Sequence, residues 1–337
     1  MRASECRIPA RIRGRLRAKW GTKPRHEGNP LMPATQDRTL AAAGAILIYA
    51  LLIAYADNYV RVIAAEGGLW QFHATRAVIA IALIVGLARV TGRRLRPVSL
   101  RAVVARSAVH GFAMLIYFGC LAFLPVAQVA AGLFTAPIFV LLISRFVYGQ
   151  SIGPVRIVAV VLGFVGVVLV LGPSAMEGAT WAALLPVLAG ALYAMGNIAT
   201  REWCGTESAD TLLAGFFAAL GVFGLIGLAV LAIAPVTVAA GTDGFILRGW
   251  VTPSGTFLFW VTVQAVLSVI GVGLMIRAYQ IADAGRVSVF EYILLPASAL
   301  WGWLIWAEVP GLTAVSGMAL ITLAGAMIAV RARQSSG

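Results

Sequence analysis

Long runs without a charged or strongly polar residue restrict this chain more than any other feature. One run, Val158–Leu171, consists entirely of apolar residues and glycine. A transmembrane helix needs about 20 apolar residues in succession, whereas the strands of a transmembrane barrel alternate apolar and polar residues. The runs therefore predict an all-α integral membrane protein and argue against a barrel.

Ten such segments can be drawn along the chain. Of its 337 residues, 61% are hydrophobic and 12% are charged, so ten helices of about 20 residues would use nearly all of the apolar side chains. This composition is far more apolar than that of a soluble enzyme. The segments, numbered 1 to 10, span about 40–60, 69–90, 102–123, 126–147, 155–172, 179–200, 210–234, 255–280, 286–307 and 312–330.

The basic residues are placed in a way that indicates membrane topology. The net charge is +13, and nine of the 26 basic residues precede residue 32, while most others lie in short gaps between segments. With a cytoplasmic N-terminus, 23 basic residues fall on the cytoplasmic side, only Arg61 and Arg248 fall on the other, and Arg76 lies within segment 2. Basic residues favour the cytoplasmic side. We therefore expect two cytoplasmic termini in an inner or plasma membrane, and no nucleic-acid partner.

Residues 1–38 form a basic N-terminal segment without an apolar run of signal-peptide length. Three interpretations stay open: a basic surface helix on anionic lipid, an organelle transit peptide, or an untranslated stretch with initiation at Met32. The three cysteines, Cys6, Cys120 and Cys204, are isolated. This spacing favours free thiols over a disulfide framework or a metal site.

The chain divides at 173–179 into two halves that resemble each other. Two pairs of motifs repeat: Pro137 and Gly166 with Pro296 and Gly325, each 29 residues apart, and Asp57-x-x-x-Arg61 with Asn197-x-x-x-Arg201. We therefore expect repeats at 39–172 and 173–332, with a tail at 333–337. Five helices per repeat would insert the second copy upside down, and inverted repeats bind substrates near the middle of the membrane.

Two stretches, Gly119–Val140 and Arg156–Leu169, together resemble the second half of an EamA-type repeat of the drug/metabolite transporter superfamily. Other pieces resemble the second repeat, and the opening of the branch that contains S-adenosylmethionine and riboflavin carriers. They are Phe290-Glu291-Tyr292, Pro296, Gly302-Trp303 and Glu308-Val309-Pro310, and Asp57, Arg61, Trp70-Gln71 and Arg76. The likeness covers about 40–332. The chain departs from the family pattern at Gln150, where the family usually has glutamate. Any role of that glutamate could therefore be filled only by Glu308.

The resemblance implies ten helices, cytoplasmic termini and secondary transport of a small metabolite, often outward. We expect a carrier that works by alternating access, with export slightly favoured over uptake. Its partners would be the lipid bilayer and a solute resembling an amino acid, a cofactor or a drug. We expect no catalytic residues, cofactor or metal, possible proton coupling, and a monomer or homodimer. The alternatives are a membrane enzyme acting on a lipid and a scaffold that transports nothing.

Charges inside the predicted segments are the first candidates for function, because each costs roughly 2.5 to 3.5 kcal/mol on insertion scales and needs a partner or a wet cavity. Asp57 lies near the outer end of segment 1, with Arg61 one turn further on the same face. Arg76 lies at a similar depth in segment 2. These residues predict either a structural ion cluster joining segments 1 and 2, or an outer gate that contacts an anion.

Glu291 lies about five residues into segment 9 between two aromatic residues. Burial among apolar groups would let this carboxyl exchange protons near neutral pH. Alternatively, it could pair with Arg277, Arg286 or Arg201 as a static lock. The sequence favours neither interpretation.

Prolines and isolated polar or aromatic residues at mid-helix depth complete the predicted cavity. Pro137 and Pro296 free backbone carbonyls, which are not tolerated facing lipid, although a packing bend is the alternative. A lone His or Gln more often makes an interhelical hydrogen bond. The cavity candidates are His110, Tyr117, Gln128, Pro137, Tyr193, Asn197, Gln264, Glu291, Tyr292, Pro296 and Trp301. The gate and ion-pair candidates are Asp57, Arg61, Arg76, Arg201 and Glu308.

Overall fold

Helices make up the secondary structure of the part of the chain that the computed structural model describes, residues 38–120, 126–171, 184–238 and 244–334. The predicted basic segment and the tail from residue 335 lie outside these residues, as does the gap between the halves. The helices are α1 (Thr39–Asn58), α2 (Val60–Glu66), α3 (Leu69–Val90), α4 (Leu100–Cys120), α5 (Val126–Leu133), α6 (Ala136–Phe146), α7 (Pro154–Leu171), α8 (Leu184–Glu202), α9 (Ala209–Ile233), α10 (Gly255–Ile281), α11 (Ala284–Phe290), α12 (Leu294–Trp306) and α13 (Leu312–Gln334).

These helices form the ten predicted segments, so the all-α membrane fold is confirmed. Seven stretches are long and apolar enough to cross a membrane: α1 with α2, α3, α4, α9, α10, α11 through α12, and α13. The other three segments are α5 with α6, α7, and α8. Segment 4 is broken between α5 and α6, and α6 and most of α7 count only as shorter apolar helices.

Each segment of the first half packs mainly on a segment of the second half. Segment 1 packs on segments 8 and 9, and segment 6 packs on segments 3 and 4. Segment 2 packs on segment 7, and segment 5 packs on segment 10. When five is added to each segment number of the first half and subtracted from each of the second half, the same set of pairs results. That is the pairing expected of two repeats related by an internal two-fold axis.

The bundle has two ends, which we name after an arginine at each. At the Arg61 end, Arg61 meets Glu308, and the Trp70 indole N–H donates to the Ile246 carbonyl over 2.8 Å. At the Arg93 end, Arg93 pairs with Asp210 over 3.1 Å. The topology predicted above places the Arg61 end outside and the Arg93 end in the cytoplasm.

The segments that contain Pro137 and Pro296 are both discontinuous near the middle of the bundle. Segment 4 breaks between α5 and α6, just before Pro137, and segment 9 passes through a 3₁₀ turn, Glu291–Ile293, before Pro296. Proline cannot donate the backbone hydrogen bond of a continuous helix. Equivalent breaks in the two repeats are typical of segments that line a central binding site.

Helices α7 and α13 are in backbone contact. A Cβ atom added at Gly166 would lie 2.7 Å from the Gly317 carbonyl oxygen, and one added at Gly317 would lie 2.5 Å from the Gly166 carbonyl oxygen. Real Cβ atoms essentially never come this close to a neighbour. Small residues of this kind let transmembrane helices approach closely, and here they join the last segments of the two repeats.

Candidate functional site

A cavity of about 830 Å³, counting the solvent at its mouth, lies between the two repeats. Its walls are mostly apolar and aromatic, with side chains from both halves of the chain. The polar and titratable side chains that line it are Tyr49, Asp57, Arg76, His110, Tyr117, Tyr193, Gln264, Ser268 and Glu291.

A side-chain amide links the acid and the base in the part of the cavity nearer the Arg61 end. Gln264 Nε2 donates to Asp57 Oδ1 over 3.0 Å, and Gln264 Oε1 accepts from Arg76 over 2.9 Å. Ser268, one turn further along α10, also donates to Gln264 Oε1, over 2.8 Å. The predicted ion cluster therefore includes segment 8 as well as segments 1 and 2.

Arg76 is buried, with aromatic rings around its guanidinium. The guanidinium carbon lies 4.7 Å from the centre of the Phe72 ring and 5.6 Å from that of Phe118. An arginine over an aromatic face gains a favourable cation–π interaction. Its Nε makes no hydrogen bond within the described part of the chain, so Arg76 retains one donor for a further acceptor.

Arg61 does not belong to this cluster. It pairs with Glu308 over 3.2 Å, with both side chains about half exposed, and its guanidinium lies 4.1 Å from the centre of the Trp306 ring. The expectation that Arg61 shares a face with Asp57 is therefore wrong. Because α1 ends at Asn58 and α2 begins at Val60, the helical spacing is interrupted between the two residues.

Glu291 is buried at the start of the 3₁₀ turn, deeper in the bundle than Asp57. The Tyr193 hydroxyl lies 3.3 Å from Glu291 Oε1 and 3.0 Å from the sulfur of Met275. Among the described residues no basic side chain forms an ion pair with Glu291. The structure therefore differs from the static-lock alternative.

The three arginines of that alternative point elsewhere. Arg201 donates to the Ala282 carbonyl, and Arg286 donates to the Thr39 hydroxyl over 3.1 Å. Arg277 is exposed. A carboxylate buried without a positive partner is costly, so Glu291 calls for a proton or a cationic ligand.

Three further predicted residues also line the cavity. His110 packs against Tyr193, with 4.7 Å between the ring centres, and edge-on against Phe216. Tyr117 and Pro137 line the same space. Together with Asp57, Arg76, Tyr193, Gln264 and Glu291, they form one continuous surface drawn from both repeats.

Other predicted residues lie away from the cavity lining. The Trp301 indole donates to the Leu51 carbonyl over 3.0 Å, and the Tyr292 ring covers Gly163. Asn197 is buried, and Pro296 is half-buried in α12. For Trp301 and Tyr292 the contacts indicate roles in packing. The side chain of Gln128 is not among those described.

Sequence reasoning missed several residues that line the cavity, among them Tyr49, Ser268 and Met275. A helical repeat could have found two of them, because Ser268 and Met275 follow Gln264 by four and eleven residues and so share its face. Tyr49 carries no comparable signal. In the described ranges no group of His, Cys, Asp and Glu is arranged to hold a metal ion.

Fold and cavity together define a polytopic membrane protein with a cavity between two inverted repeats. Residues 40–172 match the EamA-like transporter family. The match covers the first predicted repeat, less than half of the chain, and agrees with the resemblance to the drug/metabolite transporter superfamily. The family is one of transporters and not of enzymes.

Relatives and a solved structure agree with this assignment. The chain is 31% identical over 208 residues to a riboflavin transporter of Rhizobium johnstonii, covering 62% of this chain and 63% of that protein, which is less than two thirds of its length. It is 28% identical to a riboflavin transporter of Brucella anthropi, covering 80% and 87%. A crystal structure with 20% identity superposes with a TM-score of 0.66, covering 88% of this chain and 98% of that one. The last comparison shows the fold alone.

Proposed function

We propose that this protein is a secondary active transporter that moves a small metabolite across the inner or plasma membrane by alternating access. The observation that carries the proposal is the cavity, because side chains from both repeats line it. A buried carboxyl, Glu291, faces it and has no basic partner among the described residues. Rocking of one repeat against the other would expose this site to each side of the membrane in turn.

The proposed cargo is a flat or amphipathic solute with at least one polar group. Aromatic side chains form much of the cavity wall, among them Tyr49, Tyr117, Phe118 and Phe134. Polar groups lie in two places, around Gln264 and around Glu291, so they can orient a solute that spans both. The riboflavin transporters among the relatives support a planar cargo.

Glu291 is the proposed coupling group. Asp57 and Arg76 offset each other through Gln264, so the cavity holds one further carboxyl, that of Glu291. The Glu291 carboxylate would bind a proton in one step of the cycle and a cationic part of the cargo in another. This alternation would couple transport to the proton gradient.

The remaining parts of the proposal concern gates and topology. We assign Arg61 with Glu308 to the gate at the Arg61 end, and Arg201 to the contact that closes the Arg93 end. Export with cytoplasmic termini is the proposed direction and orientation, which the family resemblance and the distribution of basic residues support. The unit of transport is a monomer or a homodimer.

Counterflow in liposomes tests the function. Purified protein is reconstituted with one unlabelled metabolite inside, and uptake of the labelled metabolite is followed for a panel of flavins, nucleoside-like cofactors and amino acids. We expect accumulation of at least one flat solute above that in empty liposomes. A panel that yields no counterflow, with or without a pH gradient, would contradict the proposal.

Two substitutions on one helix serve as the matched pair. Val272 lines the cavity, and Val266 is exposed on the outer face of α10. Val272→Trp should abolish counterflow by filling the cavity, whereas Val266→Trp should leave it close to wild type. Equal effects of the two substitutions would exclude the cavity as the transport site.

A further inference from the structure

Arg106 is a charged residue buried without a counter-ion. It lies in α4, is fully buried, and belongs to none of the ion pairs of the described residues. Its Nε donates to the Thr200 hydroxyl over 2.9 Å, and one terminal nitrogen makes a longer contact of 3.4 Å to the Leu212 carbonyl. The other terminal nitrogen has no hydrogen-bond partner in the described part of the chain.

Further polar atoms without partners lie within about one helical turn of Arg106 or Thr200 on the facing helices α4 and α8. The Ser107 hydroxyl, His110 Nδ1 and both polar side-chain atoms of Asn197 are buried and make no hydrogen bond to other described residues. Most buried polar groups in proteins are hydrogen-bonded, so each exception calls for an explanation. A concentration of them around one arginine indicates a site built for a ligand.

Two acids at this end of the bundle, Glu207 and Asp210, are engaged elsewhere. Glu207 accepts from the backbone N–H groups of Val98 and Ser99, over 2.9 and 2.6 Å. Asp210 pairs with Arg93. Arginine stays protonated in proteins, and a buried charge without a partner costs several kcal/mol. A negative ligand would supply the missing counter-charge.

We propose that Arg106, Thr200 and Asn197 form an oxyanion subsite for a carboxylate or phosphate group. His110, one turn from Arg106 on α4, lines the cavity, so the subsite lies between the cavity and the Arg93 end. The planar guanidinium suits an oxyanion better than a spherical halide because it can donate two parallel hydrogen bonds. Asn197 supplies a further donor, and Thr200 already orients the guanidinium.

The subsite would hold the anionic group of the cargo as it passes between the cavity and the Arg93 end. This role rests on the proposed transport function, whereas anion binding itself does not. Arg76 is a weaker candidate for the same task, because Gln264 already connects it to Asp57.

Thermal unfolding of the purified full-length protein tests the subsite without transport. Inorganic phosphate and acetate are the probes, and chloride at equal ionic strength is the reference. A ligand that binds the folded state raises the melting temperature with its concentration. We expect phosphate or acetate to raise the melting temperature of the wild type more than chloride does. Arg106→Gln should weaken the apparent affinity by about tenfold or more, since charge-assisted hydrogen bonds are lost.

Two variants guard against a general effect. Arg93→Gln removes an exposed arginine at the same end and should keep the wild-type response. Asn197→Ala removes a side chain that makes no hydrogen bond to the described residues, so it should fold even if Arg106→Gln does not, and should at least halve the response. A wild type that responds equally to all three anions, or an unchanged response in Arg106→Gln or Asn197→Ala, would overturn the subsite.

Counterflow separates the subsite from its role in transport. If the cargo contains a carboxylate or phosphate, the cargo and its ester are compared as competitors of counterflow. In the wild type the ester should compete at least about tenfold more weakly than the cargo, and in Arg106→Gln the two should compete equally. An equal preference in both proteins would refute the role in transport. Failure of the anion to bind would overturn the subsite and leave the proposed carrier function standing.

Discussion

Gln264 donates its amide N–H to Asp57 over 3.0 Å, while the oxygen of the same amide accepts from Arg76. The amide orientation is fixed by this arrangement, because the reversed amide would place N–H against guanidinium and oxygen against carboxylate. One neutral side chain therefore separates two opposite charges and connects segments 1, 2 and 8. Movement of α10 would change both contacts at once.

The first prediction concerns the stability of this cluster. Asp57→Asn should destabilise the protein by roughly 1 to 3 kcal/mol, because it removes the anion that balances a buried arginine. Melting temperature and folded yield measure the effect. Asp210→Asn, which breaks a more exposed pair with Arg93, is the control and should change little.

A second substitution checks the mechanism behind that loss. Asp57→Asn combined with Arg76→Gln should cost less than the sum of the single changes, because no buried charge is then left without a partner. Additive losses would contradict the charge-balance argument. Normal stability with lost transport in Asp57→Asn would instead assign Asp57 a direct role in the cycle.

Proton coupling through Glu291 is tested by the pH dependence of transport. Glutamine preserves the shape of Glu291 and an acceptor for Tyr193, but it cannot take up or release a proton. Glu291→Gln should therefore flatten the pH profile of counterflow and abolish uptake driven by a pH gradient. Glu308→Gln, at an exposed acid outside the cavity, should keep the wild-type profile. A wild-type profile in Glu291→Gln would remove this carboxyl from the coupling mechanism.

The Arg61–Glu308 pair joins the two repeats at the bundle end and is about half exposed. Exposed pairs contribute at most about 1 kcal/mol, so neither Arg61→Glu nor Glu308→Arg should lower the melting temperature much. If the pair closes a gate, both single variants should slow transport and the double charge exchange should restore it. A double variant as slow as the single variants would show that the pair does not gate.

Close packing of α7 and α13 gives a prediction for stability. Gly166→Ala should destabilise the protein strongly, since the added methyl group would meet the backbone of Gly317. Gly86→Ala is the matched control, because a Cβ there has no heavy atom within 4 Å. Thermal unfolding of the two variants should separate them clearly. Similar melting temperatures would show that the contact relaxes at little cost.

Segment count and the discontinuous segments could be predicted from the sequence. Apolar length predicts helices in a membrane directly, and Pro137 and Pro296 indicated irregular backbone where the structure has breaks. Asp57, Arg76 and Glu291 could be selected as candidate functional residues because charges in apolar segments are costly.

Contacts that depend on how each helix is rotated could not be predicted. Arg106 counted among the basic residues of the cytoplasmic side, because hydropathy does not distinguish an arginine that reaches the membrane surface from one that turns inward. Arg61 was placed on the face of Asp57 because the break at Tyr59 has no proline or glycine to indicate it.

The contact between Gly166 and Gly317 has a consequence for how the sequence of this protein can vary. Two helices whose backbones are in contact move as one rigid unit. Gly163 of the same unit packs against the Tyr292 ring, and Tyr292 follows Glu291 in the chain. Neither helix contributes to the cavity wall. A screen for altered cargo preference should therefore return no changes at these glycines, while a screen for loss of assembly should return them first. Variants with a new cargo preference would therefore differ in the cavity-lining helices and keep the contact between α7 and α13 unchanged.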